Sequence, residues 1–213
     1  TEAATIPPDT LNAIPESLQG VKLRDPENHW FGAVLSSFGI IYNKSALKAR
    51  NIPEPTAWAD LANPAYAGQL IQADPSKSGS TRVCYEVILQ KYGWEKGWAL
   101  LMQMAGNTRE FTARSSSVPQ EVAHGSALAG MSIDFFAYSQ IDANGSDVVG
   151  YVSPENATAI TPDPIALLKN APHKAAAEEF IAFLLSEKGQ LIWGLKPGVP
   201  GGPVEKGLWR LPV

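Results

Sequence analysis

The sequence predicts an α/β fold. Short β-rich runs alternate with stretches of helical periodicity through most of the 213 residues, with no internal repeat. Two of the helical stretches open on hydroxyl-rich loops that follow short strands, the arrangement of ligand-binding α/β sheets.

Residues 1–28 carry Pro7, Pro8, Pro15 and Pro26 and read as an extended entry with one helical turn near 9–14. Residues 29–43 form two β-rich runs interrupted by Ser36, Ser37 and Gly39, as in a strand that bends or crosses between lobes. A short helix at 45–50 and a helical turn at 56–61 follow, stopped by Asn63-Pro64. An apolar strand around Leu70 and Ile71 then runs into Ser76, Ser78, Gly79, Ser80 and Thr81, where Ser80 is the expected N-cap of a helix. In the next helix Trp94, Trp98, Leu101, Met102 and Ala105 share a face and are expected in the core. A strand at 109–112 leads to Ser115-Ser116-Ser117, where Ser117 and Gln120 make a capping-box pattern for a helix closed by Gly125. Residues 128–133 form a buried strand with Asp134 to Tyr138 at its carboxyl end. A return crossing leads into a helix at 173–185 with an apolar stripe of Ala177, Phe180, Ile181, Leu184 and Leu185. The tail, 196–213, is rich in Pro and Gly and loop-like.

Composition narrows the function. With 45% hydrophobic and 18% charged residues the chain can bury a core, and a net charge of −4 without basic runs excludes the footprint of a nucleic-acid binder. No stretch approaches the roughly 20 apolar residues that cross a bilayer, so the chain is not membrane-spanning. The first residues show no features of a signal peptide. The single cysteine, Cys84, lies on the inferred core face of its helix and is expected to be a buried thiol.

No G-x-S-x-G or H-E-x-x-H is present, and His29, His124 and His173 are scattered. A hydrolase would need a triad assembled from distant residues, so no enzyme is expected. No metal-ligand spacing occurs, and no cofactor is expected. Asp134 and Tyr138 are the alternative donors for a cation. The two helix starts explain more. Amide dipoles at 78–81, with Ser78, Gly79, Ser80 and Thr81, and at Ser116 and Ser117, can hold an anion without a formal positive charge. Ser36 and Ser37 lie in the crossover, and Trp30, Phe136 and Tyr138 offer flat walls. Asp134 either accepts hydrogen bonds from a ligand ammonium or hydroxyl, or caps a helix. Arg82 and Arg114 either reach the ligand or point to water. The expected solute is an oxyanion or an amino- or hydroxyl-bearing phosphonate- or phosphate-like metabolite.

Four ordered segments carry a resemblance: Trp30 to Tyr42-Asn43, Thr56-Ala-Trp-Ala-Asp-Leu-Ala-Asn-Pro64, the Ala-Asp-Pro-Ser of 68–80, and Ala171-Pro-His-Lys-Ala-Ala-Ala with 180–190. Together they resemble the periplasmic substrate-binding proteins of ABC transporters, in the cluster of ferric-iron, phosphonate, sulfate and polyamine binders. The resemblance implies a type II periplasmic-binding-protein-like, three-layer α/β/α fold and a solute held in an interlobe cleft. It also implies an ABC transporter permease as partner, a monomer, and a periplasmic or extracellular location. By the same analogy 1–37 are part of a first lobe and crossover, 38–150 a second lobe, and 151–213 the return crossover and the rest of the first lobe. The family's opening half-lobe has no counterpart before Thr1, so the chain resembles a fragment. Where iron-binding members place adjacent tyrosines this chain has Phe135 and Phe136, which disfavours tyrosinate iron binding. The family alternatives are a non-tyrosinate metal binder and a solitary sensor or interaction lobe.

Overall fold

The computed structural model describes all 213 residues and divides them into two compact units, Thr1–Ser36 with Ile160–Val213, and Ser37–Ala159. In the first unit, α1 (Pro8–Ala13) precedes a minimal hairpin of β1 (Ser17–Leu18) and β2 (Val21–Lys22). Its turn places Gln19 at φ +48° and Gly20 at φ +85°, a left-handed pair that glycine tolerates best. Strand β3 (Phe31–Asn43) begins in this unit and continues into the second. It is one unbroken strand of 13 buried residues, with Ser36, Ser37 and Gly39 inside it, and not two runs.

The second unit carries α2 (Lys44–Ala49), 3-10 turns at Trp58–Ala62 and Pro64–Tyr66, β4 (Leu70–Ala73), α3 (Gly79–Tyr92) and α4 (Trp94–Asn107). It continues with β5 (Thr108–Thr112), α5 (Ser117–Ala123), β6 (Ala129–Ile133), α6 (Asp134–Asn144) and β7 (Val149–Val152). The strand order is β5-β4-β6-β3-β7. Strand β4 pairs parallel with both β5 and β6, and β3 runs antiparallel to β6 and β7, with Phe38 opposite Ile133 and Ile40 opposite Val152. One apolar cluster, including Trp58, Leu70, Cys84, Ile88, Leu101 and Met104, packs α3 and α4 on the sheet. Another, including Ile41, Ile71, Val118, Val122 and Ala137, packs α5 and α6. This is the α/β/α layering expected from the alternation of strands and helices.

The second compact unit runs from Ser37 to Ala159. The Thr158 hydroxyl donates to the Phe38 carbonyl at 2.6 Å, and the fully buried Trp58 donates its indole N–H to Ala157 O at 2.7 Å, so the return segment is bonded to this core. Burial pushes the Cys84 thiol up to about 12, the chemistry of an inert core cysteine.

Helix α4 corrects the sequence reading. Its buried residues are Gly97, Leu100, Leu101, Met104 and Asn107, while Trp94 and Met102 are 70% and 68% exposed and Trp98 is partly so. The helix is apolar on more than one face, and Gly97 decides between them: a Cβ there would lie 3.0 Å from Leu89 Cα, so only this face admits α3 so closely.

The first unit closes with β8 (Ile160–Ile165), which pairs with β3, followed by α7 (Lys174–Leu185) and α8 (Glu187–Gly194). Its core gathers Ile6, Ile14, Leu23, Phe31, Leu35, Leu167, Ile181 and Leu185. Phe180, expected in the α7 stripe, is instead exposed. The Pro- and Gly-rich tail is docked: Leu35 N–H donates to Leu211 O at 2.7 Å and Val213 N–H to Gln190 Oε1 at 2.9 Å.

Gly130 in β6 has no room for a side chain, since a Cβ would meet Ile71 O at 2.4 Å and Val118 Cγ1 at 2.5 Å. Gly130→Ala is therefore expected to destabilise the second unit by about 2 kcal/mol or more. Chemical denaturation followed by tryptophan fluorescence measures this, and an unchanged midpoint would contradict the packing described.

Candidate functional site

Because β4, β5 and β6 are parallel, their carboxyl ends share one edge of the second unit's sheet, and the loops entering α3, α5 and α6 rise there. Strand β3 is antiparallel to β6, so Ser37, just before Phe38, arrives at the same edge, as does Ser153 just after β7. Topology thus gathers Ser37, 78–81, 115–117, 134–138 and Ser153 from segments far apart in sequence. Open α/β sheets keep ligands at this edge.

At the α3 start the cap is Ser78, not Ser80. Its Oγ accepts the Thr81 N–H at 3.2 Å and lies 3.1 Å from the Thr81 hydroxyl, and both residues are buried. Ser76 turns away to Asp74, whose Oδ1 accepts its hydroxyl at 2.7 Å and its amide at 2.9 Å. These bonds hold the Asp74 carboxyl below the usual carboxylate range, with Lys77 adding to the effect. Three of the four hydroxyls are therefore spent on the loop itself. Ser80, partly exposed, and the Gly79 and Ser80 amides of the first turn remain. Gly79 is exposed, and a Cβ there would meet nothing within 4 Å, so packing does not require a glycine. Arg82 and Arg114 are both exposed.

The second hydroxyl-rich start is weaker than expected. Ser116 occupies the cap position of the seven-residue α5 in a helical conformation (φ −66°, ψ −22°) and makes no side-chain cap, so the capping box of Ser117 and Gln120 does not form. Ser116 and Ser117 are partly buried. Gly125, at φ +78°, does close this helix as expected.

Asp134, the first residue of α6, is 1% exposed. Its Oδ2 accepts the Ser37 amide at 2.8 Å and the Ser37 hydroxyl at 3.0 Å, and its Oδ1 accepts the Phe135 amide at 2.7 Å. The carboxylate joins β3 to α6, but as the first helical residue rather than as the cap, since the cap position of α6 is Ile133 and carries no side-chain cap. Phe136 is partly buried against the core with its ring 4.2 Å from that of Phe135. Tyr138 is 39% exposed and meets Tyr151 edge-on at 5.4 Å. Tyr151, Ser153 and Thr158 were not among the candidate residues. They sit in a segment of alternating β-formers and turn residues where no spacing marks them.

Ser36 and Ser37 part company, as adjacent residues of a strand must. Ser36 is fully buried in the first unit, donating to Asp163 Oδ2 at 3.0 Å and accepting from Arg210 Nη1 at 3.1 Å, while Arg210 also pairs with Asp163. Trp30, in the same unit, is partly buried, and its carbonyl accepts the Asp25 amide at 3.0 Å to close a turn. The Asp163–Arg210 pair was invisible in sequence because its members lie in two Pro-containing stretches 47 residues apart. No group of three or more His, Cys, Asp and Glu side chains is gathered as a metal ion requires, and no helix is long and apolar enough to cross a membrane.

The chain belongs to the bacterial extracellular solute-binding protein family, whose profile matches residues 3–206. It is 35% identical over 182 residues to the phosphoglycerate transport regulatory protein PgtC of Salmonella typhimurium, covering 85% of this chain and 45% of that protein. The chain thus spans a little under half the length of this relative. The fold matches the periplasmic binding protein AfuA from Actinobacillus pleuropneumoniae, solved with exogenous fructose-6-phosphate bound, with a TM-score of 0.76 at 22% identity over 90% of this chain and 59% of that one. It also matches the open conformation of ferric iron-binding protein A from Mannheimia haemolytica, with a TM-score of 0.64 at 21% identity over 90% and 61% of the two chains. The fold is the type II periplasmic-binding-protein fold, and the family and these neighbours are binding proteins rather than enzymes.

The two serines at the α3 start separate cleanly. Ser78→Ala is expected to cost about 1 kcal/mol through the lost cap, and Ser80→Ala to leave stability within about 0.5 kcal/mol. Urea denaturation of both variants decides it, and a larger loss at Ser80 would return the cap to that residue.

Proposed function

We propose that this chain is the solute-binding component, or part of it, of an ABC importer, working outside the cytoplasmic membrane with a permease as its partner. The observation that carries the reading is the α3 start. The Gly79 and Ser80 amides and the Ser80 hydroxyl stand uncommitted at the carboxyl edge of parallel strands, and Gly79 omits a side chain for which the fold has room. Amides at the start of a 14-residue helix carry partial positive charge and bind anions. The exposed Arg82 and Arg114 add positive charge near the two loops. With Asp134 bonded to Ser37 and Phe135, no carboxylate oxygen needs a ligand partner there, which favours an anion bearing hydroxyls over one bearing an ammonium.

The 35% identity to a phosphoglycerate transport regulatory protein makes phosphorylated hydroxy acids the first solute class to test. That relative's name also favours a second reading, in which solute binding is reported to a regulatory partner rather than feeding a permease directly. The two share one binding step and differ in what the bound protein meets next.

Isothermal titration calorimetry with 3-phosphoglycerate, 2-phosphoglycerate, inorganic phosphate and sulfate tests the shared step. Binding of at least one phosphorylated hydroxy acid is expected. Ser80→Ala is expected to weaken it by about tenfold or more, since a hydrogen bond to a charged group is worth roughly 1.5–3 kcal/mol, and Gly79→Ala to weaken it by a similar factor by placing a Cβ in the open space through which the solute would approach the amides. Both variants should melt within about 2 °C of the parent. No binding by the parent would overturn the proposal, and undiminished affinity in both variants would move the site away from α3.

A further inference from the structure

One polar atom of the second unit has nothing to bond to. The Tyr151 hydroxyl is enclosed and makes no hydrogen bond within the protein. Burial raises its phenol above the ordinary range. The neighbouring Ser37 and Ser153 hydroxyls lie near enough to hold that shift back, but neither meets it in hydrogen-bond geometry. A buried hydroxyl without an acceptor forfeits its hydration and gains nothing in return, and folded proteins leave few such groups.

The ring alone accounts for the packing. It lies over Gly39, where a Cβ would come 2.9 Å from both Cζ and the hydroxyl oxygen, and it meets Tyr138 edge to face. Phenylalanine would make the same contacts without a stranded O–H. What the hydroxyl adds is polarity at the inner end of a polar track. Ser37 Oγ lies 3.0 Å from Asp134 Oδ2 and 3.4 Å from Ser153 Oγ, Ser153 is exposed, and Tyr138 covers the ring from a partly exposed position.

We infer that Tyr151 is a specificity residue of the solute site, its hydroxyl donating a hydrogen bond to an oxygen of the bound solute with Tyr138 as the outer wall. The inference rests on the solute-binding reading above. It also constrains the solute. Tyr151 lies on β7 and α3 follows β4, and β6 and β3 stand between those strands, a separation on the order of 14 Å in the sheet. The length of the tyrosine side chain shortens the gap to one that a small bifunctional solute spans and a bare oxyanion does not. A solute with an anionic group at the α3 amides and an oxygen-bearing group at its far end satisfies both ends, and an apolar far end would leave the phenol unpaired.

Tyr151→Phe in the full chain tests this with two readouts. Without solute the variant should melt at the parent temperature or slightly above it, because no bond is lost. A fall of about 4 °C or more would show that the hydroxyl is bonded within the folded chain and would overturn the inference. In calorimetric titration the variant should bind 3-phosphoglycerate roughly 10- to 100-fold more weakly than the parent, with affinity for inorganic phosphate unchanged. Equal affinity of parent and variant for 3-phosphoglycerate overturns the role of Tyr151 and leaves the solute-binding reading standing. A parent chain that binds neither compound overturns that reading, and the inference falls with it.

Discussion

The second unit depends on one buried carboxylate. Asp134, 1% exposed, is tolerable only because three donors meet it: the Ser37 amide and hydroxyl and the Phe135 amide. Those bonds sit one residue from the first β3–β6 pair, Phe38 opposite Ile133. They therefore pin β3 in register with β6. A slip of one residue would turn every β3 side chain to the other face of the sheet and strip Asp134 of its partners. Because β3 also pairs with β7, the same clamp fixes where Tyr151 and Ser153 stand.

With that register set, the carboxyl edge becomes a shared platform. Parallel pairing of β4 with β5 and β6 brings the α3, α5 and α6 starts to one side, and the antiparallel β3 delivers Ser37 there. Bonds within the platform then decide which polar groups stay available. The Asp74–Ser76 pair, the Ser78 cap on the Thr81 amide and the Thr81 hydroxyl are satisfied internally, and the Ser80 hydroxyl, the Gly79 and Ser80 amides and the Tyr151 phenol are left over. Donors outnumber acceptors among these, the balance suited to an oxygen-rich anion.

Much of this was legible in the sequence, and the failures share a physical cause. Strand–helix alternation, the hydroxyl-rich α3 start and the position of Asp134 after a buried strand are local patterns, and the structure places them as local rules predict. Whether Ser78 or Ser80 caps α3 turns on backbone conformation at one residue, which composition does not encode. The exposed Trp94 and Met102 were misread because α4 has apolar residues on more than one face, and periodicity cannot select the face that Gly97 selects by close approach. Tyr151 beside Ser37, and Arg210 beside Asp163, are pairings across long stretches of chain. They follow from sheet register and from docking of the tail, neither of which leaves a motif.

The same residue types divide according to whether the fold explains them. Gly39 and Gly130 each face a backbone oxygen that excludes a Cβ, so folding requires glycine at both, and at Gly97 a Cβ would press on Leu89 at 3.0 Å. Gly79 faces open space and has no such excuse. The charge on Asp134 is costly but fully met by donors, whereas the smaller polarity of Tyr151 is met by none. Local rules that a chain breaks without compensation inside the fold are where function is expected, because stability alone would favour the repair: alanine for Gly79, phenylalanine for Tyr151. Both breaches belong to the unit whose register Asp134 sets, and the proposed site, in which solute oxygens meet what the protein leaves unpaired, accounts for the two together.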